Sequence, residues 1–317
     1  MLNSDLDLSG RPLTGSPADQ RRFVDRKEEF DRTWQSLSLR ANVLLVGDRG
    51  SGKTSFLRKL EATINASDEL GEATYVDGSS VDTLERLIGA VQRGLVSRGL
   101  ELEQRETAVD VLAGLRPLAV QSLFPPTVLL DQPLPDIAHT LFGRLRDEVW
   151  QLPYTWVVSV DTVDQPRVAR APADAFFGAT VVLGALSDRS ALALLHHYID
   201  KRLDADALET LVDLADGSPR RLISLARTAL VEGVPVSELL KQHLHQEELL
   251  AQASPPAQEL ARYLADAGPR SASDADLLSH FGWTRNRAVQ VFNELARLGI
   301  ATGRVEKGGR RKLYSLA

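Results

Sequence analysis

The sequence predicts an α/β fold with a parallel sheet, followed by a helical region and a small terminal module. Three observations predict it. Short apolar runs alternate with amphipathic helical stretches up to about residue 185, one of those runs ends in a glycine-rich loop that opens a helix, and the strand signal stops after Leu183. Strands alternating with helices require crossover connections, and these give a parallel sheet covered on both faces.

The elements follow in order. Residues 1–22 form a lead-in, and its first twenty, rich in Ser, Asp, Gly and Pro without periodicity, are expected to be extended. A helix is expected from Asp25 to Leu39, a buried strand over Asn42 to Val46, and a helix from Ser51 to Ile64. Further strands are expected at Ala73 to Val76, Thr127 to Leu130, Thr155 to Val160 and Thr180 to Leu183, with helices such as Thr83 to Arg98 and Ile137 to Trp150 between them. Glu101 to Phe124 is a helical stretch that carries no motif. Beyond Leu183 come helical segments from Asp188 to His197, Asp206 to Ala215, Pro219 to Val231 and Val236 to Ala251. The break at Ala253-Ser254-Pro255-Pro256 precedes three more helices, Ala257 to Ala267, Asp274 to Phe281 and Arg285 to Leu298, and then a hairpin over Ile300 to Ala317 that turns at Lys307-Gly308-Gly309-Arg310. The expected domains are therefore a core over 23–185, a helical lid over 186–252 and a terminal domain over 253–317.

The chain of 317 residues has no cysteine, which excludes disulfides and thiolate metal sites, and its six histidines form no spaced ligand cluster. No apolar run approaches the roughly 18 residues needed to cross a bilayer, so a soluble, cytoplasmic protein without membrane contact is expected. The net charge of -6 is unevenly distributed: Ser254 to Ala317 holds ten Lys/Arg against six Asp/Glu, or +4, which leaves -10 on the rest. An acidic body with a basic terminal module is the pattern expected where only the module meets a polyanion.

Gly47-Asp48-Arg49-Gly50-Ser51-Gly52-Lys53-Thr54 fits the phosphate-binding pattern G-x-x-x-x-G-K-[ST], and it lies between a strand and a helix as that pattern requires. The glycines let backbone N–H groups curl around phosphates, and the N-terminus of the helix from Ser51, with Ser55 among the expected cofactor-binding residues, adds partial positive charge. Lys53 bridges the terminal phosphates and the Thr54 hydroxyl ligates magnesium, so ATP and Mg²⁺ are the expected cofactors. Thr127-Val128-Leu129-Leu130-Asp131 supplies the carboxylate of the Walker B strand, with Asp131 as the magnesium partner. Gln132 follows where hydrolysing enzymes of this type place a glutamate. An amide can orient water but cannot take its proton, so slow hydrolysis is expected.

With both motifs placed, the chain resembles the AAA+ and STAND group of P-loop ATPases, and within it the origin-recognition-like initiators and the transposition-regulator ATPases. Phe23-Val24-Asp25-Arg26-Lys27-Glu28 is similar to the family's F-V-x-R-E element, with Lys27 in place of glutamate, and the resemblance implies that Val24 packs near the adenine. Thr155 to Asp164 resembles the sensor 1 strand and tip, with Asp161 as the sensing residue where the family more often has Asn, Thr or Arg. Leu183 to Asp188 resembles the link to the lid. Gly217-Ser218-Pro219-Arg220-Arg221 resembles the start of the sensor 2 helix, which implies that Pro219 lines the site and that Arg220 reaches the terminal phosphate. The resemblance also implies an arginine supplied by a neighbouring subunit, from Arg167 or Arg170, with Arg144 and Arg146 also within plausible distance, and hence a homo-oligomer or a partner protein.

The terminal module has the shape of a helix-turn-helix with a basic wing, a winged helix. Thr284 is the expected N-cap of a helix that turns Ala288, Phe292 and Leu295 inward and offers Arg285, Arg287, Gln290, Asn293 and Arg297 on the other face. Lys307, Arg310, Arg311 and Lys312 are expected on the wing, and double-stranded DNA is the expected partner. Three functions remain open. One is a nucleotide-switched, DNA-binding ATPase of the kind used in initiation, transposition control, plasmid maintenance or defence; another is a STAND-type signalling switch whose winged helix makes protein contacts. A scaffold that binds ATP without turning it over is a third.

Overall fold

The computed structural model describes residues 8–67, 69–96, 112, 126–199, 202–305 and 312–316. Five strands, β1 (Val43–Gly47), β2 (Ala73–Asp77), β3 (Thr127–Asp131), β4 (Thr155–Asp161) and β5 (Ala179–Leu183), form one sheet in the order β2-β3-β4-β1-β5. Every pairing in it is parallel. All five lie where the apolar runs predict them. The runs are continuous because alternate residues enter opposite cores: Leu44, Val46, Val128, Leu130, Val158 and Val160 face one side, while Val43, Leu45, Leu129, Val157, Val181 and Leu183 face the other.

Helices α1 (Pro17–Arg22), α2 (Lys27–Ser38), α3 (Lys53–Asn65) and α4 (Leu84–Val96) precede β3. The α1 helix departs from the expected extended lead-in. Ser16 caps it by accepting from the Asp19 N–H, Pro17 starts it, and six residues are too few for an apolar period to register. The helix expected from Asp25 begins instead at Lys27, because Asp25 and Arg26 are left-handed (φ 60° and 66°). That geometry turns Arg26 inward, where its Nη2 donates to the Gly184 carbonyl at 2.6 Å and to the Ser51 carbonyl at 3.4 Å.

The helix expected over Ile137 to Trp150 is three pieces: α5 (Pro135–His139), a π-helical turn (Thr140–Arg144) and α6 (Arg146–Trp150). Leu141, Phe142 and Gly143 are all buried, and three successive residues face one core more readily in a widened turn, which the Leu145 N–H closes on the Thr140 carbonyl. Phe142 meets Trp156 edge-on at 5.4 Å and stacks on Phe176 at 4.8 Å, so truncating it to alanine is expected to cost about 3–5 kcal/mol. Helix α7 (Gln165–Val168) and a 3₁₀ turn (Ala173–Phe176) lead to β5.

After β5 come α8 (Asp188–Ile199), α9 (Ala205–Ala215), α10 (Pro219–Leu230), α11 (Val236–Ala251), α12 (Pro255–Ala267), α13 (Ala275–Phe281) and α14 (Arg285–Arg297). The chain forms two compact units, Met1–Arg202 with Asp216–Ile223, and Leu203–Ala215 with Ser224–Ala317. Within the second, β6 (Arg270–Ser271), β7 (Ala301–Val305) and β8 (Lys312–Leu316) form an antiparallel sheet in the order β6-β8-β7. The β6 strand, two residues long, is too short to leave a sequence pattern. Asp274 caps α13 through the Leu277 N–H, Thr284 caps α14 through the Arg287 N–H, and Gly282 turns between them at φ 63°. Ala288, Val291, Phe292 and Leu295 are buried, and Phe292 stacks on Tyr314 at 4.4 Å. No helix among the described residues is long and apolar enough to cross a membrane.

Candidate functional site

The site is built at the C-terminal ends of the strands, in the first unit. The β1 strand is interior, paired with β4 on one side and β5 on the other, and it ends at Gly47. The loop that follows opens α3 through Gly50 and Gly52, whose φ angles of +93° and +98° are the left-handed kind that glycine tolerates. A Cβ added at Gly52 would enter open space, so the bare backbone presents its amides to the cavity at the positive end of α3. This is the shape and polarity that a chain of phosphates fits.

Lys53 is 3% exposed, and its Nζ donates to the Gly47 carbonyl at 2.7 Å and the Asp48 carbonyl at 2.9 Å. It also pairs with Asp161 Oδ1 at 2.7 Å. The same Oδ1 accepts from Gln132 Nε2 at 3.1 Å, which draws the lysine, the end of β4 and the residue after β3 into one cluster.

Asp131 ends β3 and is 4% exposed. Its Oδ2 accepts from the Thr54 hydroxyl at 2.6 Å and the Tyr75 hydroxyl at 2.8 Å, while its Oδ1 accepts from the Ser159 hydroxyl. Strand register explains the last contact, since Ser159 lies opposite Asp131 in the β3–β4 pair. Burial first, and then the Asp131 carboxylate, push the Tyr75 phenol far above its ordinary value, so it remains a donor. Gln132 sits at φ 49°, with its backbone N–H bonded to both the carbonyl and the hydroxyl of Ser159. Among the described residues no cluster of three or more His, Cys, Asp or Glu side chains could hold a metal by itself, and the Thr54–Asp131 pair is the oxygen donor set beside the loop.

A cavity of about 220 Å³ opens over this loop. Arg49 to Ser55, Gln132 and Arg220 supply its polar side, while Phe23, Val24, Leu186, Leu194, Tyr198, Pro219 and Ile223 supply an apolar side. Helix α10 also begins here, and the Arg220 N–H lies 3.4 Å from the Gly50 carbonyl. Gly217, at φ +67°, permits that approach, because an added Cβ would stand 2.5 Å from Ala185 Cβ and 2.9 Å from the Leu186 carbonyl oxygen.

The residues expected to bind a nucleotide therefore come together, with one distinction: Arg49 to Ser55 line the cavity, whereas Gly47 and Asp48 do not and instead hold the Lys53 ammonium with their carbonyls. Arg167 pairs with Asp136 at 3.2 Å and Asp164 at 3.8 Å, and Arg170 is exposed; neither lines the cavity. In the second unit Arg285, Arg287, Gln290, Asn293 and Arg297 are exposed along α14. Lys312 opens β8, its ammonium 4.8 Å from the Tyr314 ring centre, while Lys307, Arg310 and Arg311 lie outside the described residues, as do 101–111 and 113–124.

Sequence reasoning missed the two groups that pin Asp131, Tyr75 and Ser159. A lone serine inside the apolar run Trp156-Val157-Val158-Ser159-Val160 was the available signal. It also missed Gly10 to Leu13, which line the cavity beside Arg22 and Phe23.

No protein-family model matches this sequence, and no curated protein matches it. Solved structures do. The chain is similar to the Aeropyrum pernix ORC1 protein solved in complex with DNA, at 19% identity and a TM-score of 0.55, over 93% of this chain and 89% of that one. It is similar to the Aeropyrum pernix ORC2 protein in its ADPNP-ADP complexes, at 16% identity and a TM-score of 0.54, over 92% and 89%. Cdc6p from Pyrobaculum aerophilum gives 16% identity and a TM-score of 0.53, over 98% and 94%. What is shared is the fold. It is a five-stranded parallel sheet with the glycine loop, Gly47 to Thr54, between its interior strand β1 and helix α3.

Proposed function

We propose that this chain is a nucleotide-switched, DNA-binding ATPase with slow hydrolysis, and that it assembles with like subunits or a partner protein. One observation carries the nucleotide half: the Thr54 hydroxyl and the Asp131 carboxylate meet at 2.6 Å beside a glycine loop and a buried lysine. The loop amides and Lys53 would hold the phosphates of ATP, and Thr54 and Asp131 would hold Mg²⁺, which supplies charge neutralisation when bound. Arg220, on the second helix that begins at the cavity, would read the terminal phosphate. Gln132 orients water through its amide but takes no proton, which supports slow turnover. Arg167 and Arg170 are the arginines proposed to reach a neighbouring subunit's site.

The DNA half rests on α14. Its buried face is apolar and its exposed face carries Arg285, Arg287, Gln290, Asn293 and Arg297, side chains suited to phosphates and base edges in a major groove. We read α12 to α14 with β6 to β8 as a winged helix in which β7 and β8 are the wing strands and Lys312 opens β8. A protein-contact role has one observation in its favour: Phe281 and Trp283, both half-buried, stack at 4.3 Å beside Tyr263, and aromatic side chains favour protein interfaces. Anisotropy of a labelled random duplex at two salt concentrations, with ATP-magnesium, ADP or neither, separates the two. Salt-sensitive binding that ATP strengthens is expected, and Arg285→Ala/Arg287→Ala should lower the salt slope by about 2. Absence of duplex binding in every condition refutes the DNA reading in favour of protein contact.

A further inference from the structure

Gly10 to Leu13 line the cavity although they lie some forty residues before the phosphate loop, and one buried carboxylate holds them there. The Asp19 side chain is 1% exposed. Its Oδ2 accepts from Arg11 Nη1 at 2.7 Å, from the Thr14 N–H at 2.9 Å and from the Thr14 hydroxyl at 2.6 Å. Its Oδ1 accepts from Arg11 Nη2 at 3.1 Å, with Arg22 Nη1 at 3.8 Å. A bidentate guanidinium and two further donors fill the acceptor positions of this carboxylate and fix the loop from Arg11 to Thr14 from both ends. Gln20 Nε2 adds a bond to the Thr14 carbonyl at 3.0 Å. The loop is then fastened to the phosphate-loop helix, where the Leu13 N–H donates to Ser55 Oγ at 3.0 Å.

The geometry points to Asp19 as a positioning residue for the nucleoside end of the ligand: through Arg11 and Thr14 it fastens a strap whose residues Gly10 to Leu13 line the cavity along with Phe23, Val24 and Tyr198. This rests on the nucleotide reading above. Phosphate recognition depends on Arg49 to Thr54, none of which touches Asp19 in the contacts just described. The strap, together with Phe23, Val24 and Tyr198, offers the backbone edges and apolar surface that a base and ribose require. A strap ordered before binding carries no ordering cost at binding, so loosening it weakens the nucleoside contribution and leaves the phosphate contribution intact.

The test is calorimetric titration of the full chain with ADP and with inorganic tripolyphosphate, for wild type, Asp19→Asn, Thr14→Val and Lys53→Ala. Thr14 is exposed and does not line the cavity, so Thr14→Val removes one donor to Asp19 without endangering the fold. Asp19→Asn is expected to weaken ADP by about tenfold or more and Thr14→Val by about threefold to tenfold, with tripolyphosphate within about twofold of wild type in both. Lys53→Ala should lose both ligands. In wild type, ADP should slow hydrogen exchange over residues 10–14 and tripolyphosphate should not. If ADP affinity is unchanged in both strap variants, or if ADP and tripolyphosphate weaken in parallel, Asp19 has no positioning role. If neither ligand binds wild type, the nucleotide reading itself falls, a result distinct from either.

Discussion

Lys53 Nζ lies 2.7 Å from Asp161 Oδ1, so this buried lysine at the start of α3 is paired with a carboxylate at the tip of β4. That carboxylate does two opposed things. It holds the lysine in the cluster with Gln132, and it places a negative charge beside the position where phosphates are proposed to sit. Asp161→Asn keeps the shape and removes the charge, and Coulomb repulsion of order 1 kcal/mol at ~8 Å makes ATP affinity about fivefold tighter. Turnover should fall about tenfold or more because the polar cluster at the reaction end is rearranged. Titration and single-turnover assays check the two effects separately, and unchanged values in both would remove Asp161 from the site.

Asp131 can serve a divalent ion only if its oxygens stay where the Tyr75, Thr54 and Ser159 hydroxyls hold them. Asp131→Asn is expected to abolish most of the magnesium-dependent gain in ATP affinity, about tenfold or more, and to leave magnesium-free binding nearly unchanged. Tyr75→Phe removes one donor and should cost about threefold to tenfold of the same gain. A magnesium titration of ATP binding reads both. Equal losses with and without magnesium would mean that Asp131 supports only the fold.

Much of this is legible in the sequence. The strands could be read because a parallel sheet buries both faces of its interior strands, so β1 and β3 are nearly continuous apolar runs and Ser159 alone interrupts the run from Trp156 to Val160 in β4. The loop at Gly47 to Thr54 was legible because its requirements are backbone requirements, met by local sequence. What escaped depends on contacts distant in sequence. The Leu13–Ser55 bond spans 42 residues, Tyr75 reaches Asp131 from the adjacent strand β2, which lies 56 residues away in sequence, and the Arg11–Asp19 pair sits on a loop and a single short helix with no period to detect. The widened turn at Thr140 to Arg144 was invisible for a different reason: it arises from packing Leu141, Phe142 and Gly143 together, which a regular helical pattern does not encode.

Gln132 follows Asp131 at the end of β3, at φ 49°, with its amide on Asp161. Wild-type turnover is expected at least a hundredfold below the median enzyme value of about 10 s⁻¹. Gln132→Glu supplies a proton acceptor at the same length and should raise turnover about tenfold or more, with ATP affinity reduced by the added charge. Phosphate release measured at saturating ATP decides it. Rapid hydrolysis by the wild type would sink the switch reading.

Asp19 gives the first unit a pH dependence whose sign follows from its surroundings. The Arg11 hydrogen bonds, chiefly, and those of Thr14 hold its carboxyl well below the usual range, while burial pushes the other way. A folded-state value below the unfolded value of about 3.9 means that the stabilisation is complete above that pH and fades as pH falls through the folded value. Wild type should therefore lose about 2 kcal/mol from this site on progressive acidification below about pH 4. Asp19→Asn, which has no charge to lose, should be less stable at pH 7 and should show that much less acid dependence. Denaturant melts at pH 7 and pH 3 measure the difference. Parallel acid profiles for the two proteins would mean that the Arg11–Asp19 pair contributes nothing to folding, and the strap would then need another anchor.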